Sequence, residues 1–418
     1  MYGRIVTLAG KVGSMQLPSF FNDFTLPPLE WHQQMREWGA TMRASEPVWF
    51  DEQNESWRIF RYADHIRVQN DYATFSSAPA PHENNEAANS IIAMDPPRHR
   101  QLRSLVTPAF SARSIAQLAP RIEEITQELL QPMLAQDQMD VVAQLAVPLP
   151  IIVIADMLGF PHENWPLIKQ WTDALLSDSS LGQEESSQDS EMPLTQEQVM
   201  ILYEKMAHTI DERRRHPRQD ILSLLLTAEV DGEYLSDDDL YAFFITLLVA
   251  GNVTTTQLIG NAFLCFDQHP DAWQQLRQDP SLVPVAIEEI LRCLPPNRGT
   301  GGARTIIGGR VATTDVQLGD HLIRKGQVVK VTTISANFDE TQFSEPARFD
   351  IRRNPNRHLS FGHGIHFCLG APLARLEAKI VLENLLRLLP EWRRDKDVPL
   401  RQVRSNIVFG VKNLPITF

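Results

Sequence analysis

The chain has 418 residues, 43% of them hydrophobic, and a formal net charge of −13. The apolar share is enough for a large core, and the acidic balance argues against nucleic acid as a general partner. Only three cysteines occur, Cys265, Cys293 and Cys368, widely spaced, which excludes a disulfide framework and fits a reducing cytoplasm.

No Gly/Ser linker, internal repeat or long charge block divides the sequence, so a single domain is expected over 1–418, with 1–27 an extended N-terminal segment. The opening residues, MYGRIVTLAGKVGSMQLP, hold no apolar run long enough for a membrane span or a signal sequence, so no membrane anchor is expected. A first helix is predicted over 28–44, then two strands around a polar turn in 47–60. A short helix follows over 63–71, and the Ala-, Pro- and Asn-rich stretch 76–90 reads as a loop. Pro96 and Pro97 open a helix that carries His99 and Arg103 one turn apart, by itself an ordinary solvated helical face. Helical patterns run over 115–134, 145–158 and from about Pro161. The polar, acidic stretch SDSSLGQEESSQDSEMP then separates them from another helix over 195–215.

Ser236 is a good N-cap, and Asp237, Asp238 and Asp239 fill the first turn of a helix expected to run to about Asp267, before Pro270. Its apolar run, 240–250, is too short to span a membrane. The middle of this helix, AGNVTT, joins a glycine to β-branched residues, and a threonine there can hydrogen-bond back and bend it. A kinked core helix is the plain reading. Glu289 and Arg292 stand one turn apart, which is common helix chemistry. A Gly-rich stretch and RVATTDVQLG come next.

Near the C-terminus the chain reads HLSFGHGIHFCLGAPLAR, 358–375. Gly362 and Gly364 make a tight turn with little side-chain bulk, over which a flat ligand can approach the backbone. Pro372 opens an amphipathic helical pattern over 373–389. Cys368 therefore precedes a helix N-terminus, where backbone N–H groups favour a thiolate. Such a thiol could be a nucleophile, a metal ligand or a buried cysteine without a role.

FGHGIHFCLG is similar to the haem-binding signature of the cytochrome P450 family, Phe-x-x-Gly-x-His-x-Cys-x-Gly, at Phe361, Gly364, His366, Cys368 and Gly370. The resemblance covers the chain from about Pro28 onward. It implies a mainly α triangular-prism fold with a smaller β region, haem b as cofactor and dioxygen as co-substrate. Cys368 would be the axial iron ligand, its electron density favouring O–O cleavage. The segment DPPRHRQLR resembles the one in which a histidine and an arginine, here His99 and Arg103, bind a haem propionate through charge-assisted hydrogen bonds. AGNVTT resembles the oxygen-binding motif, which places Ala250, Gly251 and Thr254 at the haem. Glu289 and Arg292 match a buried structural pair joined by a third basic group, for which Arg348 is selected. RVATTDVQLG selects Arg310 as a further propionate ligand, ahead of Arg304, which lies nearer the usual spacing. Ser360, Phe361, Gly362, His366 and Gly370 would complete the haem contacts, with Phe361 beside the thiolate. Leu248, Val249, Val253, Pro296, Asn297 and Val408 are the expected pocket residues, with the 76–90 loop over them.

Val253 departs from the family pattern, which has an acid at that position. Thr254 is kept, but valine cannot relay a proton. A water ordered by Asn252, a substrate hydroxyl, or chemistry with less need of protons would have to serve instead. The implied function is a cytoplasmic monooxygenase that hydroxylates or epoxidises a small, largely apolar molecule of secondary metabolism. Electrons would come from a separate ferredoxin or flavodoxin with its reductase, because the 50 residues after Cys368 leave no room for a reductase domain. Arg100, Arg113, Arg357 and Arg375 could form its docking face. A peroxide-driven or coupling enzyme is the alternative, and a non-catalytic haem-binding protein a more distant one.

Overall fold

Helices carry most of this chain, and prolines and caps set many of their ends. The structure is a computed structural model, and it describes residues 16–78, 90–160, 164–176, 196–230, 232–298, 309–389 and 391–418. Most of the 76–90 loop, the acidic stretch before 196, the Gly-rich stretch with Arg304, and the first fifteen residues lie outside them.

Helix α1 (Pro28–Ser45) leads into strands β1 (Val48–Asp51) and β2 (Ser56–Ile59), then α2 (Tyr62–Asn70) and β3 (Phe75–Ser76). Next come α3 (Arg98–Val106), α4 (Ala112–Ala116) and α5 (Ala119–Leu134). The single helix expected over 115–134 is thus two. Pro120 stands in the first turn of α5, where its missing N–H cannot continue the preceding helix. Strand β4 (Gln138–Asp140) precedes a π-helical turn, Val142–Ala146, and Pro148 then starts α6 (Pro148–Leu158). Gly159, at φ +73°, closes α6 in the left-handed conformation. Helices α7 (Trp165–Leu176), α8 (Gln196–Arg215) and α9 (Ile221–Leu226) and the ribbon β5 (Glu229–Val230) and β6 (Glu233–Tyr234) lead to α10 (Asp237–Gln268). The chain continues through α11 (Pro270–Gln278), α12 (Val283–Cys293), β7 (Gly309–Ala312), β8 (Val316–Leu318), β9 (His321–Ile323), β10 (Val328–Val331) and α13 (Thr333–Asn337). It ends with α14 (Ala371–Leu388), β11 (Arg393–Arg394) and β12 (Pro415–Thr417).

The largest sheet has the order β1-β2-β10-β7-β3. Its β2–β10 pairing is parallel, with Ser56 opposite Val328, and β7 runs antiparallel to β10 with Arg310 opposite Val329. A smaller sheet joins β11, β12 and β4.

Helix α10 runs through the core, packed along α6 and α14. Ser236 and Asp239 form a reciprocal capping box at its start, as the sequence suggests. It is helical throughout, so its Gly–β-branched centre does not interrupt it. A Cβ on Gly251 would meet Ile154 of α6 at 3.1 Å, so the glycine permits the close approach of the two helices. By length and composition α10 could cross a membrane, but 56% of its most apolar window is buried in the fold. Leu248, Phe244 and Phe263 are at most 1% exposed. Each such side chain contributes about 1.5–3 kcal/mol by leaving water.

Candidate active site

The cysteine loop is held from behind by α2. Gly362 and Gly364 adopt φ of +72° and +70°, and a Cβ on Gly364 would lie 2.6 Å from the Gln69 carbonyl oxygen. Only glycine meets both demands at 364. The loop folds back so that the Cys368 N–H donates to the Phe361 carbonyl at 2.8 Å, and Gly370 caps α14. The Arg375 guanidinium lies 4.5 Å above the Phe361 ring and is also paired with Glu288 at 2.7 Å, so it is less free for docking than Arg100, Arg113 and Arg357, which are exposed. Burial pushes the Cys368 thiol up, against the opposing pull of the Gly370 N–H, Arg103, Arg375 and the Ala371 N–H. The helix N-terminus alone therefore does not give a thiolate here. A bound metal cation would, because coordination deprotonates the thiol outright.

The loop's scaffold is a fully buried ion pair. Arg292 Nε and NH2 donate to the two Glu289 carboxylate oxygens, each at 2.8 Å, with both side chains 0% exposed. The third basic group is Arg353, whose Nε lies 3.2 and 3.1 Å from the same oxygens. This corrects the choice of Arg348, whose guanidinium is solvent-exposed beside Glu345 while only its carbonyl joins the network, accepting from Arg292 at 3.1 Å. Asn356 Nδ2 donates to Glu289 at 3.0 Å. Asn337 then ties the scaffold to the loop: its Oδ1 accepts from the Leu359 N–H at 2.8 Å and its Nδ2 donates to Ser360 Oγ at 2.9 Å. Sequence reasoning missed Arg353, Asn337 and Asn356. No short motif marks Arg353 or either asparagine.

Four basic residues converge beside the cysteine loop. The His99 and His366 rings are 4.3 Å apart, and Arg103 NH2 donates to the Phe367 carbonyl at 2.5 Å. Arg310, half-buried on β7, stands within electrostatic reach of His366. Burial, then Arg310, His99 and Arg103, push the His366 pKa down to about 3. Burial and then Arg103 lower that of His99, while burial lowers both Arg103 and Arg310, opposed by Cys368 and Asp95 respectively. The Nε2 atoms of His99 and His366 are buried without a hydrogen-bond partner among the described residues. A cluster of donors that includes two buried, unpartnered imidazole nitrogens, with Asp95 nearby, fits a ligand bearing carboxylates. A haem with its propionates answers that description. Arg304 lies outside the described residues.

On α10, Thr254 is accessible and its Oγ1 donates to the Ala250 carbonyl at 2.9 Å. Ala250 is also accessible, and Gly251 is half-buried. Of the expected pocket residues, Leu248 is 0% exposed in the main core, and Val253 and Val408 are 4% and 3% exposed. Pro296 is buried and Val249 half-buried. Asn297 bridges Val408 and donates through Nδ2 to the Ser360 carbonyl at 3.2 Å. The half-buried residues Thr246, Leu247 and Val249 lie on the turns preceding Ala250, and Thr246 shares a 2.8 Å hydroxyl contact with Ser90. Asn252 turns away, buried, its Oδ1 accepting from Thr256 at 3.3 Å. A separate groove of about 660 Å³ beside Trp273, Trp392 and Arg394 contains none of these residues.

Comparison with known proteins gives the family. The family described as Cytochrome P450 matches residues 192–417. Cytochrome P450 109 of Bacillus spizizenii is 40% identical over 379 residues, covering 90% of this chain and 89% of that protein. Erythromycin C-12 hydroxylase of Saccharopolyspora erythraea is 36% identical over 391 residues, covering 91% and 93%. The crystal structure of CYP109E1 from Bacillus megaterium in complex with testosterone superposes with a TM-score of 0.79 at 34% identity, covering 92% of this chain and 99% of that one. The chain belongs to the cytochrome P450 family and is a monooxygenase that works through a haem–thiolate iron and dioxygen. Its fold is the mainly helical P450 fold with a smaller sheet region.

Proposed function

We propose that the chain binds haem b through Cys368 and oxidises a small, largely apolar molecule of secondary metabolism by hydroxylation or epoxidation. The observation that carries this reading is the convergence of His99, Arg103, Arg310 and His366 beside the Cys368 loop, with two buried imidazole nitrogens lacking partners. Those four residues would hold the propionates, and Ser360, Phe361, Gly362, Gly364 and Gly370 would shape the loop under the macrocycle. When bound, the iron supplies dioxygen activation and the thiolate its electron push.

The protein's own part is to orient the substrate, exclude water and manage protons. Thr254 is the accessible hydroxyl on α10, and turning from the Ala250 carbonyl frees its O–H to hold or pass a proton. Val253 offers none. Asn252, buried against Thr256, supports the idea of a water on that side less than the sequence alone suggests. The apolar wall of Leu247 and Val249 supports an apolar substrate, with Thr246 and Ser90 as local polar contacts. The family's relation to small-molecule substrates and redox partners supports electron supply by a separate ferredoxin or flavodoxin with its reductase. Exposed Arg100, Arg113 and Arg357 would receive it. We place this single-domain enzyme in the cytoplasm.

The test is an optical titration of the ferric protein against terpenes, fatty acids, steroids and polyketides. A low- to high-spin shift with one class, followed by product formation with an electron chain, is the expected result. A protein that binds no haem, or one whose Cys368→Ala variant keeps the thiolate signature of the carbon monoxide complex, would sink the reading. Val253 favours a second reading, a peroxide-driven enzyme. Turnover with hydrogen peroxide and none with a competent electron chain would select it.

A further inference from the structure

Two neighbouring glutamates on α12 face different parts of the molecule. Glu289 is buried in the scaffold with Arg292 and Arg353, whereas Glu288 turns towards the cysteine segment and α14. Its Oε1 accepts from Arg375 Nε and its Oε2 from Arg375 NH2, both at 2.7 Å. Such a two-point fork fixes the direction of a carboxylate as well as its distance. The same Oε2 lies 3.1 Å from His358 Nε2, and the His358 side chain is only 3% exposed. Burial raises the Glu288 pKa, but hydrogen bonds from Arg375 and then His358 outweigh it and bring the value down to about 2, so the carboxylate is ionised.

The second nitrogen of His358 shows which way the ring works. The Ser360 N–H donates to His358 Nδ1 at 3.2 Å. A nitrogen that accepts carries no proton, so the ring proton sits on Nε2, which donates to Glu288. The imidazole therefore bridges a carboxylate on α12 and the backbone just before Phe361. The Arg375 guanidinium lies 4.5 Å above the Phe361 ring, and the His358 ring is 5.8 Å from it. The Phe361 carbonyl in turn accepts from the Cys368 N–H at 2.8 Å. One chain of contacts thus runs from Glu288 through His358 to Ser360 and Phe361, and ends on the amide of the cysteine. Neither Glu288 nor His358 has a part in the functional reading above. An apolar side chain would fill the volume of His358 without its two directed hydrogen bonds.

We propose that His358, anchored by the Glu288–Arg375 fork, is a positioning residue for the Cys368 thiolate, holding the Ser360–Phe361 backbone on which the cysteine amide rests. The inference rests on the reading that Cys368 is the iron ligand. It adds a layer behind that ligand, of the kind that orients the groups in direct contact with a metal.

The experiment uses the full chain loaded with haem b. It reads the absorption band of the ferrous carbon monoxide complex and the rate of haem transfer to apomyoglobin. His358→Phe keeps the bulk of the side chain and removes both hydrogen bonds. It should speed haem transfer about tenfold, the scale of losing a partner that orients a metal ligand. It should also move part of the carbon monoxide complex from the thiolate band to that of a haem without thiolate. His358→Asn keeps an acceptor near the place of Nδ1 and should recover part of both readings. In a Glu288→Ala background His358→Phe should add less than it does alone, because the two residues act through one chain of contacts. Unchanged transfer and band in His358→Phe, equal losses in His358→Phe and His358→Asn, or full additivity with Glu288→Ala overturns the proposal. Should His358→Phe fail to fold, Glu288→Gln, at a more exposed side chain, carries the same expectations at smaller amplitude, and unchanged readings there overturn it as well. If the unaltered protein itself lacks the thiolate band, the Cys368 assignment fails instead.

Discussion

Arg353 reaches both carboxylate oxygens of Glu289, at 3.2 and 3.1 Å, completing a triad with Arg292. A buried carboxylate stripped of one partner keeps its desolvation cost. Arg353→Ala should therefore lower unfolding stability by about 3 kcal/mol. Arg348→Ala should change it by less than about 0.5 kcal/mol, because its guanidinium is solvated. Urea unfolding of the two variants separates the positions, and equal losses would contradict the geometry.

Gly364 joins a positive φ to a near contact with the Gln69 carbonyl. Gly364→Ala should lose about 1–3 kcal/mol from backbone strain, and more if α2 must move. Haem content of the purified protein is the direct check. A variant that retains full haem and an unshifted thiolate signature would show that the loop can yield.

Thr254 and Val253 divide the proton question between them. Thr254→Ala should reduce product formed per electron pair by roughly tenfold to a hundredfold, while haem binding persists. Val253→Asp should raise coupled product if the natural chain is limited by proton supply. Because Val253 is only 4% exposed, the same change should cost about 2 kcal/mol or more in stability. Product, peroxide and cofactor consumption measured together decide the first point, and thermal unfolding decides the second.

His32 is buried between Phe338 and Phe409, and burial, then Arg36, push its pKa from 6.5 down to about 3. Between those values the unfolded chain holds a proton that the folded one does not. Stability is therefore retained above about pH 6.5 and lost as pH falls towards 3, at about 1.4 kcal/mol per pH unit for this group. His32→Phe should flatten the acid limb by that slope, measured as unfolding free energy against pH. An unchanged limb would mean that His32 keeps its proton in the fold.

Much of the fold was legible because local rules agreed with tertiary packing. The Ser236 cap and its aspartates fixed the start of α10, and Pro97 and Pro372 marked α3 and α14. The cysteine signature was legible because glycines at 362 and 364 are demanded by backbone geometry, which a sequence displays directly. Arg353, Asn337 and Asn356 were not, since their importance lies in what meets them from distant segments. Leu248 and Thr246 show the same limit on one helix. An apolar residue suggested the pocket and lies in the core, while its polar neighbour two positions earlier is the less buried one.

The sheet order carries a consequence for how the protein is made. β2 pairs with β10, placing Ser56 against Val328, and β4 pairs with β12, placing Asp140 against Pro415. On a growing chain, the early strands must wait for partners translated hundreds of residues later. Such distant closures are entropically late steps, and strands left waiting are open to wrong pairing. The cysteine loop itself follows β10, so the cradle for the cofactor closes only when synthesis is nearly finished. Haem supply and the last stage of translation are thereby placed in competition with misassembly, and slow elongation over the first half of the chain would lengthen the exposure.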